Sequence, residues 1–296
     1  MTDSISVFLP DALAPLDRLA GLRPLRGDGC YLGTLGGLRI IQGAKGVFVR
    51  GSLPKYLNAN NALPLTRQSL RAALGKLEAE SGLDLKTGIV YQLETAYTFP
   101  VKKAPRDYLA AWGPLPRFKK NTHGNGETVT LANGGRSFSG YDKGAEMAPD
   151  ALPCPLESLY ALRLELRWKR GLKRLYGRFL SPWEASEPEP YGQAVKAWAA
   201  LYFKIPKRRE VCLAMDGMTP KGFERTLAAI GLQSLGLDRA QEIIRDGLAS
   251  KALDRVTASR MRALFRELAK DERITNTEPL TAEIDEKVRA VARFAR

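Results

Sequence analysis

The feature that most constrains the fold is the alternation of apolar and polar residues in segment 162–169. Its even-numbered residues are Leu162, Leu164, Leu166 and Trp168, and its odd-numbered residues are Arg163, Glu165, Arg167 and Lys169. Segment 89–99 has the same layout, with Glu94 on its more polar face. Because successive side chains of a β-strand point to opposite faces, both segments are predicted to be strands of a sheet with one packed face. Such alternation is typical of antiparallel sheets.

Other segments complete an α+β pattern in the first half of the chain. Predicted strands cover residues 3–9, two stretches within 31–50 that are joined at 43–46, and the hairpin 128–131 and 136–143, which turns at Asn133-Gly-Gly. One helix is predicted from the N-cap Thr66 to Gly82. The expected fold class is therefore α+β with a mainly antiparallel sheet.

The pattern changes in the second half of the chain. Segment 181–191 contains three prolines and several acidic residues, which predicts a linker or an exposed turn. After it the apolar period becomes helical, and helices are predicted near 191–204, 220–230, 238–250, 257–270 and 281–295. We therefore predict two domains, a sheet domain at 1–183 and a helical accessory domain at 184–296.

The charge of the chain favours nucleic acid as a partner. There are 46 Lys and Arg residues against 32 Asp and Glu residues, for a net charge of +14. Residues 1–183 contain 26 basic and 15 acidic residues, whereas residues 184–296 contain 20 and 17. The predicted sheet domain therefore holds most of the field that attracts polyanions.

The sequence disfavours membrane attachment and secretion. It contains no run of eighteen apolar residues, no basic amphipathic helix, no lipidation motif and no signal-peptide pattern at residues 1–10. Cys30, Cys154 and Cys212 are far apart and have neither metal-ligand nor redox spacing, so we expect them to pack in a reducing cytosol. The one histidine, His123, lies in a glycine-flanked loop and is expected to be exposed. A two-histidine metal site is therefore excluded.

A third predicted strand, 136–143, carries residues that chemistry can use. Ser137, Ser139, Tyr141 and Lys143 would point to one side of it. One open sheet would place Glu94, Glu165 and Tyr141 together over a basic surface. Each residue alone also has an ordinary interpretation. A glutamate on such a face is commonly solvated or salt-bridged, and a tyrosine commonly packs, so the prediction depends on the combination.

The combination suits attack on a phosphodiester. A tyrosine oxygen can hold one DNA end covalently, but its unperturbed pKa of about 10 makes it a weak nucleophile at neutral pH. Two carboxylates, Glu94 and Glu165, are suitable ligands for Mg²⁺ or Mn²⁺, which would withdraw charge from the phosphate. Lys143 is placed to stabilise the phenolate or the phosphate.

Four ordered blocks give the chain a resemblance to a known family. They are 51–61 (GSLPKYLNANN), 92–99 (QLETAYTF), 141–146 (YDKGAE) and 162–167 (LRLELR). Their order and spacing resemble the phage and plasmid replication proteins of the filamentous-phage gene II/X family. The last two blocks, 141–146 and 162–167, also resemble plasmid rolling-circle initiators. The resemblance covers residues 3–180.

The resemblance implies a metal-dependent endonuclease that nicks and rejoins one strand at a replication origin. It would form a 5′-phosphotyrosine and free a 3′-hydroxyl that primes rolling-circle replication. It also implies a ferredoxin-like core, Tyr141 as nucleophile, and a bacterial host cytosol. Further candidate partners are other copies of the chain and host replication proteins, which the sequence leaves open. The broader class holds its metal with two histidines, and Gln92-Leu-Glu94 replaces them here, which favours a carboxylate site or a non-cleaving relative.

Basic residues near the end of the late strand are the predicted DNA contacts. They are Arg163, Arg167, Lys169, Arg170, Lys173, Arg174 and Arg178, with Lys55 from the 51–61 loop. Phosphate contacts there would make binding strongly salt-dependent.

Two other classes of function remain open. Helices 238–250 and 257–270 could form the helix-turn-helix of a non-catalytic, sequence-specific DNA-binding regulator. The aromatic residues could instead serve a single-strand-binding protein through base stacking.

Overall fold

Ten strands form one antiparallel sheet in the computed structural model, which describes residues 1–25, 29–147, 160–207, 209–211, 219–235, 237–268, 275–277 and 279–294. The strands are β1 Thr2–Pro10, β2 Ala20–Pro24, β3 Tyr31–Leu35, β4 Leu38–Gly43, β5 Gly46–Ser52, β6 Ile89–Val101, β7 Lys119–His123, β8 Thr128–Ala132, β9 Arg136–Asp142 and β10 Tyr160–Trp168. Their order is β2-β3-β4-β5-β1-β6-β10-β9-β8-β7, and every neighbouring pair is antiparallel. The predicted α+β class with a large antiparallel sheet is confirmed. Ten strands are more than a simple ferredoxin-like fold contains.

Four of the described helices lie between strands of the sheet along the chain, and helices dominate the second half of the chain. They are α1 Leu53–Asn58, α2 Arg67–Ser81, α3 Pro105–Ala110, α4 Lys143–Met147, α5 Leu172–Tyr176, α6 Pro182–Ala185, α7 Pro188–Lys204, α8 Pro220–Leu235, α9 Leu237–Ala249, α10 Arg255–Leu268 and α11 Pro279–Phe294. Two short strands, β11 Arg209–Val211 and β12 Thr275–Thr277, pair with each other.

Local signals in the sequence fix several of these boundaries. Thr66 caps α2 by accepting a hydrogen bond from the Ser69 amide, and Gly82 ends the helix with a left-handed φ of 67°. The β4–β5 turn needs glycine at Gly46, because φ there is 133° and a Cβ atom would overlap the backbone of Leu9. These elements were predicted from the sequence and are confirmed.

The apolar face of the sheet carries the core. Leu162, Leu164 and Leu166 of β10 are buried on this face. Trp198 of α7 packs above them, donates its indole N–H to the Leu164 carbonyl at 3.2 Å and stacks on Phe99 at 6.2 Å between ring centroids. Burial of each such side chain contributes about 1.5–3 kcal/mol. Helix α7 therefore holds the strands that carry the predicted site residues.

The predicted linker at 181–191 is wrong. Ser181 and Glu184 form a capping box that begins α6, and Leu180, Ser181 and Pro182 are buried. Proline is favoured in the first turn of a helix, so these prolines begin α6 and α7 and do not interrupt a helix.

The chain divides into two compact units, residues 1–206 with 283–296, and residues 207–282. In the first unit, α11 packs through the fully buried Val288, and its Asp285 accepts a hydrogen bond from Tyr202 at 2.7 Å. In the second unit, α8, α9 and α10 share a small core of Ala229, Leu232, Ala240 and Leu268. The predicted domain boundary after Trp183 falls inside the first unit and stays a prediction.

Three smaller sequence predictions concern the membrane, the cysteines and the histidine. Among the residues that the structure describes, no helix combines the length and apolar character needed to cross a bilayer. Cys30 is half-buried and free, whereas Cys154 and Cys212 lie outside the described residues. His123 is exposed, as predicted.

Candidate active site

The sheet register brings the predicted site residues together on one face, here called the polar face. Arg167 of β10 pairs with Glu94 of β6, and Arg163 pairs with Tyr141 of β9. Glu165 lies between these positions on the same face of β10. The Tyr141 hydroxyl donates a hydrogen bond to Glu165 Oε2 at 3.3 Å. Glu94, Glu165 and Tyr141 thus converge, although both carboxylates are buried rather than solvated.

A third carboxylate, Asp3, joins them because β1 is irregular at its start. Thr2 pairs with Thr95 and Ile5 pairs with Leu93, so that Asp3 and Ser4 together face Glu94. This β-bulge moves Asp3 out of phase with the buried residues that follow it. One carboxylate oxygen each from Asp3, Glu94 and Glu165 lies within 4.8 Å of the others. We call these three residues the carboxylate cluster.

Sequence reasoning missed Asp3. In strict alternation it would share the apolar face with Ile5, Val7 and Leu9, all of which are buried. A charged residue in phase with a row of core residues was the available signal, since a buried carboxylate needs a partner.

Two arginines on β10 neutralise part of the carboxylate cluster. The Arg163 side chain is fully buried, forms an ion pair with Asp3 and donates to the Asn61 carbonyl at 2.8 Å. Arg167 donates from Nε to Glu94 at 2.6 Å and from its terminal nitrogen to Glu165 at 3.0 Å. The Arg167 side chain keeps 44% of its surface exposed. Arg163 is therefore an internal counter-ion, whereas Arg167 closes the cluster towards solvent.

The pKa values show that the carboxylate cluster lacks positive charge. Burial, followed by the charges of Glu165 and Asp3, raises the pKa of Glu94 to about 9, and Arg167 offsets this only in part. Burial also raises the pKa of Tyr141 despite the nearby Arg163 guanidinium. Three carboxylates face two guanidinium groups, which favours the protonated form of Glu94. The donor set consists of oxygen atoms only, which fits Mg²⁺ or Mn²⁺.

Lys143 lies elsewhere than its predicted position on the strand. Strand β9 ends at Asp142, and Lys143 begins α4 with a fully buried side chain. Its ammonium contacts Glu146 and donates to Asn61 Oδ1 at 2.7 Å. Asn61 Nδ2 in turn donates to Asp3 at 3.3 Å, so Lys143 reaches the carboxylate cluster through Asn61. Burial lowers the pKa of Lys143.

The polar face beside the carboxylate cluster is accessible and basic. A cavity of about 110 Å³ is lined by Glu94 and Arg167 and by Arg50 and Gln92 from neighbouring strands. Arg50 is exposed and lies directly opposite Arg39 in the sheet. Two like charges in one cross-strand pair are unfavourable without an anion between them.

The predicted DNA contacts separate into two groups. Arg163 and Arg167 bind carboxylates, and Arg178 pairs with Glu184 at 2.6 Å. The others are exposed, and they are Lys55, Lys169, Arg170, Lys173 and Arg174. The prediction that Arg163 contacts DNA is wrong for this conformation, because Asp3 and the Asn61 carbonyl occupy its guanidinium.

Comparison of the sequence with protein-family models and with curated proteins gives no match. The site is therefore defined by its own geometry, which is a tyrosine hydroxyl bound to a buried carboxylate cluster.

Proposed function

We propose that this protein is a nicking–joining endonuclease that opens one DNA strand through Tyr141. The observation that carries the proposal is the hydrogen bond from the Tyr141 hydroxyl to Glu165, within a cluster that also holds Asp3 and Glu94. A nucleophile beside a base that is itself held in place is the general arrangement of covalent catalysis. The resemblance of residues 3–180 to the gene II/X replication proteins supports the same reaction.

The proposed reaction uses the phenol as nucleophile and Glu165 as base. The Tyr141 oxygen bonds to the phosphorus while the bond from phosphorus to the 3′ oxygen breaks. The phenol proton passes to Glu165, and the leaving 3′ oxygen takes a proton from water. Because burial raises the pKa of Tyr141, proton removal must accompany the attack. Reversal of these steps rejoins the strand.

The carboxylate cluster would hold the metal in this proposal. Asp3, Glu94 and Glu165 would be the ligands of Mg²⁺ or Mn²⁺, and the bound ion would withdraw charge from the attacked phosphate. Arg163 holds Asp3 in place from within the protein. Lys143 acts as a positioning residue through Asn61 rather than as a catalytic residue.

The biological setting is part of the proposal. The free 3′-hydroxyl would prime rolling-circle replication at a phage or plasmid origin in a bacterial cytosol. A ferredoxin-like core would form the centre of the larger sheet, around β1, β6, β10 and β9. The net charge of +14 favours DNA as substrate.

The test is a nicking assay with the full chain, Mg²⁺ or Mn²⁺, and a supercoiled plasmid that contains the DNA flanking the gene. Plasmid relaxation and a protein–DNA adduct stable to denaturing electrophoresis are measured together. Wild type should give both, and Tyr141→Phe should give neither. Tyr91→Phe is the matched control, because Tyr91 is another tyrosine of the sheet and lies outside the carboxylate cluster.

The assay also has outcomes that contradict the proposal. An adduct that persists in Tyr141→Phe would place the nucleophile elsewhere, with Tyr91 and Tyr97 as the next residues to replace. DNA binding by wild type without nicking at any tested metal would support the regulator or the single-strand-binding protein.

The regulator is the second candidate because of helices α9 and α10. They follow each other across a short turn, and α10 exposes Arg255, Arg260 and Arg266. Such a helix could read a DNA groove. Loss of duplex binding in a variant with these three arginines replaced by serine, while nicking is absent throughout, would favour this candidate.

A further inference from the structure

A large basic cleft lies where β9 begins and β10 ends, away from the carboxylate cluster. Its volume is about 1070 Å³. Five of its lining residues are cationic, and they are Arg117, Arg136, Arg170, Arg174 and Lys204. Two others, Phe118 and Trp168, are aromatic. We call this set of lining residues the basic cleft.

The cations of the basic cleft have no counter-ion among the residues that the structure describes. Within the described ranges, no carboxylate lines the cleft, and none lies within salt-bridge distance of these five side chains. Arg117, Arg170, Arg174 and Lys204 are exposed, and Arg136 is half-buried. Five positive charges around one recess repel each other unless an anion neutralises them.

The aromatic residues make the basic cleft more than a charged surface. The Arg136 guanidinium lies over the Phe118 ring at 5.5 Å and over the Trp168 ring at 5.2 Å. This cation–π contact orders the guanidinium plane. Trp168 is only 8% exposed, and its indole N–H has no hydrogen-bond partner among the described residues. Phe118 is half-buried and lines the recess.

We propose that the basic cleft binds a segment of single-stranded DNA. Proteins that bind single strands combine a positively charged groove for the backbone with aromatic or guanidinium planes for the bases. The five cations supply the first part, and Phe118 with Arg136 supplies the second. A volume of about 1070 Å³ lies at the upper limit of pockets for drug-sized ligands, about 300–1,000 Å³, so the cleft accommodates more than one free phosphate ion.

The position of the basic cleft deepens the proposed function, on which this role rests. Trp168 follows Glu165 by three residues, about 10 Å along the strand. Because side chains alternate along a strand, Trp168 and Glu165 point to opposite faces. DNA in the basic cleft is therefore not the phosphodiester at Tyr141. The cleft would hold a flanking part of the strand while the carboxylate cluster acts on another.

The test measures binding of fluorescein-labelled oligothymidylate by anisotropy, in the full chain with Tyr141→Phe so that no cleavage occurs. The double variant Arg170→Ser with Arg174→Ser should bind about tenfold more weakly. The matched control is Arg23→Ser with Arg67→Ser, which removes the same charge from exposed positions outside the cleft. The control should change affinity by less than about twofold. Thermal melting verifies that all variants are folded.

Three arms separate a strand from other anions. Phe118→Leu should weaken the binding of oligothymidylate. It should leave the affinity for polyphosphate, determined by competition, unchanged, because only the nucleotide has a base to stack. Inorganic phosphate should displace the oligonucleotide far less effectively than unlabelled oligothymidylate does at the same phosphate-group concentration. The Arg170→Ser, Arg174→Ser variant should lose less affinity for a blunt duplex of equal length than for the single strand, each compared with the parent protein.

Each opposite result overturns the inference. Equal losses in the cleft and control variants would mean that net charge alone drives binding. Displacement by phosphate as effective as by oligothymidylate would make the basic cleft a phosphate site. Equal loss for the duplex would refute the preference for single strands. Because this assay needs no cleavage, loss of binding in the cleft variant alone supports the cleft even where wild type fails to nick.

Discussion

The carboxylate cluster and the basic cleft use the same residue type in opposite ways. Arg163 and Arg170 are only seven residues apart, and β10 carries the first while the second follows its end. Arg163 is fully buried against Asp3, whereas Arg170 is exposed and lines a recess that contains no carboxylate among its described residues. Arg163 lies within the strand, where Asp3 and Asn61 contact its guanidinium, whereas Arg170 lies beyond the end of the strand.

The difference has an energetic consequence. A buried ion pair gains little net stability when it forms, but removal of one partner leaves an uncompensated charge in the protein interior. An exposed arginine near other cations is hydrated, and its loss changes the folded state very little. Substitutions in the carboxylate cluster should therefore lower the stability of the protein, whereas substitutions in the basic cleft should weaken ligand binding.

The sharpest contrast is expected between Asp3→Asn and Arg170→Ala. Asp3→Asn removes the closest anion of the fully buried Arg163 guanidinium and leaves only the longer contact to Glu165, at 3.7 Å, so we expect the free energy of unfolding to fall by about 3 kcal/mol. Arg170→Ala should change it by less than about 0.5 kcal/mol. Urea unfolding followed by circular dichroism measures both. Similar small losses in the two variants would contradict the distinction between the regions.

The pH dependence of stability should also separate the two regions. The pKa of Glu94 is raised to about 9 in the folded protein, well above its unfolded value. The folded state then binds more protons, so stability is greatest below the unfolded pKa and falls as pH rises towards 9. Between pH 6 and 8 the loss should approach about 2–3 kcal/mol, since one proton contributes about 1.4 kcal/mol per pH unit.

The matched variant for this measurement is Glu94→Gln, which cannot titrate. Urea unfolding of metal-free protein at pH 6 and pH 8 should show a much smaller difference than in wild type. An unchanged difference would assign the pH dependence to other groups. Arg170→Ala should retain the wild-type difference, because the basic cleft holds no carboxylate among its described lining residues.

Much of the fold could be predicted because its signals are local. Thr66, Gly82 and the Asn133-Gly-Gly turn each specify a boundary within a few residues of sequence. Alternation predicted which residues of β6 and β10 share a face, and that was enough to bring Glu94, Glu165 and Tyr141 together. The full width of the sheet was not predictable, because strand order depends on pairings between distant segments.

The rest of the site depends on irregularities that alternation cannot represent. A bulge in β1 redirects Asp3, and the end of β9 at Asp142 removes Lys143 from the polar face. The prolines of 181–191 were interpreted as signs of a linker or an exposed turn, although they lie in the first turns of α6 and α7. The basic cleft assembles Arg117, Arg136 and Lys204 from three separate elements, so no single segment of sequence contains it.

Metal binding should stabilise the carboxylate cluster and not the basic cleft. We expect Mn²⁺ to raise the melting temperature, by an amount equivalent to about 1.4 kcal/mol when the free ion is at ten times its Kd. The increase should be larger at pH 8 than at pH 6, because Glu94 must lose its proton to bind the ion. Differential scanning fluorimetry measures this shift.

Two variants test whether the stabilisation arises at the proposed site. Glu94→Gln should lose most of the Mn²⁺-dependent increase, and Arg170→Ala should keep it. A shift of equal size in both variants would locate the ion elsewhere. A shift that is larger at pH 6 would contradict the coupling between metal binding and the Glu94 proton.

Arg167 gives the smallest expected effect and lies between the two regions in character. Like Arg163 it binds the carboxylate cluster, but like Arg170 it is substantially exposed. Arg167→Ala should lower the free energy of unfolding by only about 0.5–1 kcal/mol, because solvent screens a half-exposed pair. Glu94 can also respond by keeping its proton to a higher pH. In this variant the pH-dependent fall in stability should therefore occur at higher pH than in wild type. The same urea unfolding tests this. A loss as large as that of Asp3→Asn would show that Glu94 stays ionised and that the exposure of Arg167 does not reduce its contribution to stability.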